Sequence, residues 1–201
     1  MTFPDPAADA FESAIRADGV VVFPADTVYG LACAPESARA VERLYAIKGR
    51  RPDKPAAVMF FDRDGALDAL PELGPRTRRA VEQLTPGGVT LLLPNPRHRF
   101  PLACGPDPDT LGLRVPHVPL LAGVTLPVLQ SSANPSGGAD ARRLADIPQR
   151  IRAAADLAID GGELPGTPST VVDLRRYEDD GTWSVLRSGA VAPEAVGRLL
   201  G

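Results

Sequence analysis

Two groups of residues in this chain have the types and spacing to handle anions. The first is a cation cluster, Lys48, Arg50, Arg51 and Lys54, lying downstream of Phe23-Pro24-Ala25-Asp26-Thr27. There an apolar run ends in a small polar turn that presents a hydroxyl. A hydroxyl at a strand end, near concentrated positive charge, suits a polyanion such as a nucleotide triphosphate. The second is Ser131-Ser132-Ala133-Asn134-Pro135-Ser136-Gly137-Gly138, whose hydroxyls and backbone N–H groups suit phosphate or a nucleobase. Each group has a plainer reading. Cations are favoured at any helix C-terminus by the macrodipole, and Ser, Asn and Gly make ordinary turns. Pro52 and Pro55 count against the plain reading of the cations, because they stiffen a loop already anchored between two apolar elements. The glycine spacing is not that of a P-loop.

Arg114 stands inside the apolar run Leu111 to Pro116. A buried guanidinium is costly unless paired. It can pair an internal Asp or Glu, or await an anionic ligand such as a carboxylate, which its planar fork suits; the residues alone leave both open. His98 and His117 stand beside loop prolines, with no Cys, Asp or Glu at metal-ligand spacing, so no protein metal motif is expected. No Ser/His/Asp order points to nucleophilic catalysis. Trp183 and the phenylalanines read as core, and no basic stripe is interleaved with aromatics as in single-strand binders.

The elements that position these groups follow from periodicity and punctuation. Helices are expected over Ala7 to Arg16 (stopped by Gly19), from Ser37 to Lys48, at Leu67 to Leu70, Thr77 to Leu84 and Arg143 to Ala154, and over Pro193 to Leu200. Strands are expected at Val20 to Phe23, Ala56 to Phe61, Val89 to Leu93, Leu111 to Val115, Pro127 to Leu129, Leu157 to Ile159, Ser169 to Leu174 and Trp183 to Leu186. Asn95 to Asp109 reads as a loop and possible hinge, and Pro116 to Leu121 as a turn or short helix. Strands sometimes follow one another directly, which implies an α/β fold with a mixed sheet and flanking helices. Polar residues recur at strand ends: Asp26, Thr27, Thr110, Arg114, Ser131, Ser132, Asn134, Asp160, Ser169, Thr170 and Arg187. Loops at strand ends are where open α/β sheets bind ligands.

Size and composition bound the class. At 201 residues, 44% of them apolar, the chain is expected to form one domain over residues 1–201. A net charge of −3 argues against wholesale nucleic-acid coating. The 22 prolines, about twice the ~5% background, are spread as turn punctuation. Two cysteines outside any Cys-x-x-Cys pattern, no apolar run near the ~20 residues of a membrane span, and no leader pattern in Met1 to Pro6 give the expectation of a cytoplasmic protein without membrane partners.

Seven segments, Phe23–Leu31, Lys48–Pro55, Pro86–Leu93, Leu113–Pro116, Ser132–Gly137, Ser169–Asp173 and Leu186–Gly189, occur in the order found in the YrdC/Sua5 family, which the chain resembles over nearly its whole length, in the short form without an extra C-terminal domain. The resemblance implies a twisted mixed sheet with a positively charged cavity. It implies a threonylcarbamoyl-AMP synthase: L-threonine, bicarbonate and ATP, with magnesium, give threonylcarbamoyl-AMP and pyrophosphate, and an enzyme complex then uses the product to modify adenosine 37 of tRNA. By the same resemblance Thr27, Arg114 and Ser169 contact threonine, with Arg114 on its carboxylate. Lys48 and Arg50, the Lys-x-Arg pair, lie on the triphosphate as the catalytic cations, and Thr110, Ser132, Asn134 and Arg187 contact ATP.

The chain departs from many relatives at Ala25 and Asp26, where they read Thr-Glu, and from some at Met59, in place of a histidine near the threonine site, and at Asp140, in place of a serine near the nucleotide. These departures bear on amino-acid specificity. The alternative is a YrdC-like protein that binds double-stranded RNA or tRNA without catalysis; a further one is an acyl-adenylate enzyme using another amino acid.

Overall fold

The computed structural model describes residues 6–201; the leader reading for Met1 to Pro6, and the core reading for Phe3, fall on residues 1–5 outside that range. In chain order the elements are α1 (Pro6–Arg16), β1 (Val21–Pro24), β2 (Tyr29–Cys33), α2 (Ala38–Lys48), β3 (Ala57–Met59), α3 (Arg63–Ala69), α4 (Pro75–Leu84), β4 (Val89–Pro94), α5 (Pro101–Cys104), β5 (Thr110–Arg114), a 3-10 turn Pro119–Leu121, β6 (Val128–Ser132), a 3-10 turn Leu144–Asp146, α6 (Gln149–Ala154), β7 (Leu157–Ala158), β8 (Thr170–Asp173), α7 (Tyr177–Asp180), β9 (Ser184–Arg187) and α8 (Pro193–Leu200). One sheet runs in the order β7-β1-β2-β6-β3-β5-β4-β8-β9. The pairs β1–β7, β3–β5 and β4–β8 are parallel and the others antiparallel, so the sheet is mixed as expected.

Side chains alternate across a strand, and here that alternation decides where a cavity forms. On β4, Val89, Leu91 and Leu93 are buried while Thr90, Leu92 and Pro94 are half-buried. On β5, Leu111 and Leu113 join the same apolar cluster, which Leu44, Val81 and Val196 of the helices complete. Thr110, Gly112 and Arg114 alternate with them, toward the opposite face. That opposite face is covered at one end only. There α1 and the first 3-10 turn seal Phe23, Met59 and Val128 under Phe11 and Leu121, with Phe11 edge-on to both Phe23 and Phe61. The remainder of the face stays open.

Several expectations are corrected. Tyr29–Cys33, given no element from the sequence, is a strand in a hairpin with β1. Gly30 allows it, since a Cβ there would meet the Phe23 ring at 2.8 Å. The helix expected from Arg143 to Ala154 is broken into a 3-10 turn and α6, because Pro148 cannot donate to a continuing ladder. The Asn95 to Asp109 loop contains α5 and closes on Asn95, whose Nδ2 donates to the carbonyls of Arg99 and Pro108 at 3.0 and 2.9 Å. His98 is not isolated: its Nε2 lies 2.9 Å from Asp109. After α1 the left-handed residue is Asp18, at φ 59°, rather than Gly19. A Cβ on Gly19 would strike the Ala14 carbonyl at 2.8 Å.

Between β7 and β8, residues 159–169 cross from the first place in the strand order to the eighth. The sheet curls enough that a Cβ on Gly88, before β4, would lie 3.4 Å from Thr27, after β1, and the crossing turns at Gly162 and Gly166, at φ 77° and 84°. The crossing is pinned by Tyr29, fully buried, whose hydroxyl lies 2.9 Å from both Asp160 Oδ1 and the Gly162 carbonyl and accepts from Gly161 N–H. Gly166 N–H adds a 2.9 Å bond to the Thr27 carbonyl.

Candidate functional site

On the open face of the sheet lies a cavity of about 490 Å³. Its wall includes Arg50, Thr110, Arg114, Ser132, Ser169 and Arg187, all singled out from the sequence. Lys48, Thr27 and Asn134 lie immediately behind that wall. The chain brings these residues together from widely separated elements. Arg50 follows α2, whose N-cap Ser37 accepts from Ala40 N–H and whose C-cap Gly49 takes the left-handed conformation that ends the helix. Ser132 ends β6, Thr110 and Arg114 bound β5, and Ser169 and Arg187 belong to the β8–β9 edge.

Lys48 is 2% exposed. Its Nζ donates to the carbonyls of Ser132 and Asn134 and, at 3.0 Å, to Asn134 Oδ1. The lysine thereby holds the Ser131–Gly138 loop against α2, and burial pushes its ammonium down to about 8, aided by nearby Arg50 and opposed by Asp140. Asn134 completes the loop. Its Oδ1 accepts from Ser132 Oγ at 2.6 Å, and its Nδ2 donates to the Gly138 carbonyl and to Asp140 Oδ1. Asp140 thus shapes this loop as well as lining the cavity. Arg50 donates to the Pro55 carbonyl and lies over the Tyr45 ring at 5.7 Å, while its Nε is buried without a partner.

Arg114 is 3% exposed, and burial holds its guanidinium below the usual arginine range while Asp26 opposes that shift. Its Nη2 donates to Asp26 Oδ1 at 2.6 Å and to Thr27 Oγ1 at 3.3 Å. The sequence left two partners open for this arginine; the internal carboxylate is one of them, and Nε is left buried without any partner. Near Arg114, Arg187 donates to the Ser169 carbonyl at 2.8 Å and to Ser169 Oγ at 3.2 Å, and that Oγ lies 2.7 Å from Thr90 Oγ1. Gly189 permits this contact, since a Cβ there would fall 2.6 Å from the Ser169 carbonyl carbon.

Some of the wall was missed from the sequence. Thr90 and Gln130 line the cavity, and each is the first polar residue at an open-face position of its strand, a signal that strict alternation provides. Leu186 had no such signal. Val171 pairs Arg187 and Val172 pairs Val185, so Leu186 is the extra residue of a β-bulge, and it stands 57% exposed at the cavity. Bulges re-aim side chains beside binding sites. Met59, expected near the site, is the register neighbour of Arg114 and is buried in the α1 cluster. Asp160 anchors Tyr29 and is not among the lining residues.

The mixed sheet thus has one helix-covered face and one face hollowed around guanidinium and hydroxyl groups. The chain belongs to the Sua5/YciO/YrdC family, whose model, described as telomere recombination, matches residues 13–189. It is 36% identical over 166 residues to the threonylcarbamoyl-AMP synthase of Pseudomonas fluorescens, covering 80% of this chain and 88% of that protein. It is 35% identical over 176 residues to the enzyme of the same name from Stutzerimonas stutzeri, covering 82% and 90%. Among solved structures it is similar to Pyrococcus abyssi Sua5 complexed with L-threonine (TM-score 0.83, 27% identity, 96% of this chain and 56% of that one). It is also similar to Escherichia coli YciO (TM-score 0.80, 27% identity, 98% and 95%).

Proposed function

We propose that this chain is a threonylcarbamoyl-AMP synthase, acting on L-threonine, bicarbonate and ATP. The observation that carries the reading is the convergence of two anion-binding corners on one cavity: Arg114 with Thr27 and Ser169 at one, and Arg50 with the Lys48-held Ser132–Asn134 loop at the other. The first corner suits the amino-acid carboxylate and the second the triphosphate, with Thr110 and Arg187 along the nucleotide.

The chemistry is largely positional. The threonine amine and bicarbonate give a carbamate and water. A carbamate oxygen then attacks the α-phosphorus, the bond to the bridging oxygen breaks, and pyrophosphate departs. Two anions must approach, so fixed cations aimed at the developing charge supply the main catalytic effect, and holding the reactants together supplies the rest. Magnesium fits this cavity as a phosphate-borne ion: it keeps waters and phosphate oxygens and needs only one or two carboxylates, which Asp107 and Asp140 in the wall can provide. Bound there, it would neutralise charge on the departing pyrophosphate. The product feeds an enzyme complex that transfers the threonylcarbamoyl group to adenosine 37 of tRNA. Among the described residues no helix is long and apolar enough to cross a membrane.

The test is pyrophosphate release from ATP measured with and without threonine and bicarbonate. Dependence on both is expected; release that ignores threonine rejects the reading. Lys48→Ala and Arg50→Ala are each expected to lower this rate by about 10²-fold or more, the scale of losing one electrostatic stabiliser. Wild-type rates in both would place the cations outside the chemistry.

A further inference from the structure

Arg114 enters the cavity from the end of β5 already engaged on one side. Asp26 sits on the short connection between β1 and β2, where Ala25 N–H bonds the Val28 carbonyl. One of its carboxylate oxygens takes Arg114 Nη2 at 2.6 Å and the other accepts His117 N–H at 3.4 Å. Thr27 Oγ1, from the same connection, accepts from the same Nη2. Nη2 then has one acceptor for each of its two N–H groups, while Nε has none although it is buried. Among the described residues Asp26 is the carboxylate ion-paired with Arg114. The side chains of the pair are only 4% and 12% exposed, so neither can drift into water. An isolated buried guanidinium would be strongly unfavourable, and a single fixed counter-charge sets both its charge balance and its orientation.

We propose that Asp26 is a positioning residue for substrate recognition: with both N–H groups of Nη2 held by the hairpin connection, Arg114 is left to meet an incoming carboxylate through Nη1, the terminal nitrogen that lines the cavity without an acceptor among the described residues. This rests on the reading of the cavity as a threonine site and adds to it the group that orients the carboxylate-binding arginine. The opposite role, a carboxylate that competes with substrate for the guanidinium, predicts an opposite sign. Removing a competitor raises affinity for a carboxylate; removing an orienting group lowers it.

The sign is read with Asp26→Asn and Asp26→Glu. Positioning predicts that Asp26→Asn raises the KM for threonine at least tenfold with the KM for ATP unchanged, and that Asp26→Glu, which keeps the charge one methylene further out, raises it three- to fivefold. Calorimetric titration with L-threoninol, which lacks the carboxylate, should show no change in either variant, whereas a general loosening of the site would weaken it too. Threonine affinity unchanged or increased in Asp26→Asn, or equal losses for threonine and threoninol, overturns the proposal. If Asp26→Asn does not fold, Asp26→Glu carries the same comparison. The Arg114 guanidinium resonances in ¹⁵N spectra separate this idea from the activity itself. They should shift on adding acetate to wild-type protein and stay unmoved in the variants, whether or not ATP is turned over. A shift of equal size in the variants refutes the positioning role, while absent threonine-dependent turnover in wild type refutes only the synthase reading.

Discussion

At the scale of single residues, Lys48 couples charge to loop shape. Below about pH 8 its ammonium has three N–H groups for the three acceptors it meets; once deprotonated it has two. The synthase rate is therefore expected to fall on the basic side with an apparent pKa of about 8, read from a pH–rate profile at saturating ATP. Stability moves the other way. Burial places the folded-state value below the ordinary 10.5, so between the two values the unfolded chain holds the proton more tightly, and the contribution of Lys48 to stability rises with pH. A rate that drops through this window without a matching drop in melting temperature is the signature; parallel losses would assign the limb to unfolding. The carboxylate at Asp26 and the hydroxyl at Thr27 were visible as a pattern in the sequence, but their partner was not, because a contact across 88 positions leaves no local trace.

At the scale of elements, alternation carried most of the legible information. Polar residues at Thr90, Thr110 and Arg114 mark the open face of β4 and β5, and the same period buries Leu91 and Leu113. What remained hidden was decided by partners rather than by period. β2 is a strand because Tyr29–Cys33 is flanked on both sides by β1 and β6, although its glycine reads locally as a turn. The bulge at Leu186 depends on the register of β8 against β9, which no single strand encodes. The crossing segment 159–169 is held by the Tyr29 phenol together with Leu164 N–H on the Arg142 carbonyl, Gly166 N–H on the Thr27 carbonyl and Glu163 paired with Arg142 and Arg143. Tyr29→Phe removes its contacts to Asp160 and to the Gly161 and Gly162 backbone; those partners are exposed to water, so the expected loss is about 0.5–1.5 kcal/mol, the usual net worth of a hydrogen bond. Urea denaturation reads the energy. Hydrogen exchange should accelerate first at residues 160–166, and uniform acceleration throughout would show that the crossing is not separately anchored.

At the scale of the whole molecule, the two faces of the sheet divide stability from recognition. The cluster around Phe11, Phe23 and Phe61 plugs one end of the open face without entering the cavity. Phe11→Ala should cost about 3–5 kcal/mol, the range for large apolar truncation in a core, and shift the melting temperature while the KM values for threonine and ATP stay near wild type. A large change in either KM would mean that the plug also shapes the site. The mixed α/β class and part of the cavity wall, Arg114, Ser132 and Arg187 among it, were readable in advance; the order of strands was not, since it is fixed by pairings such as β1 with β7 that join distant parts of the chain.

That long crossing between β7 and β8 also sets a timetable for biogenesis. Thr27 leaves the ribosome early, whereas Arg187 of the cavity wall follows 160 residues later, roughly 8–30 s at ordinary translation speeds. During that interval the nascent polypeptide exposes only part of a binding site. Nucleotide capture must then come after the last strands dock, and any ligand-assisted stabilisation of this protein is available only post-translationally.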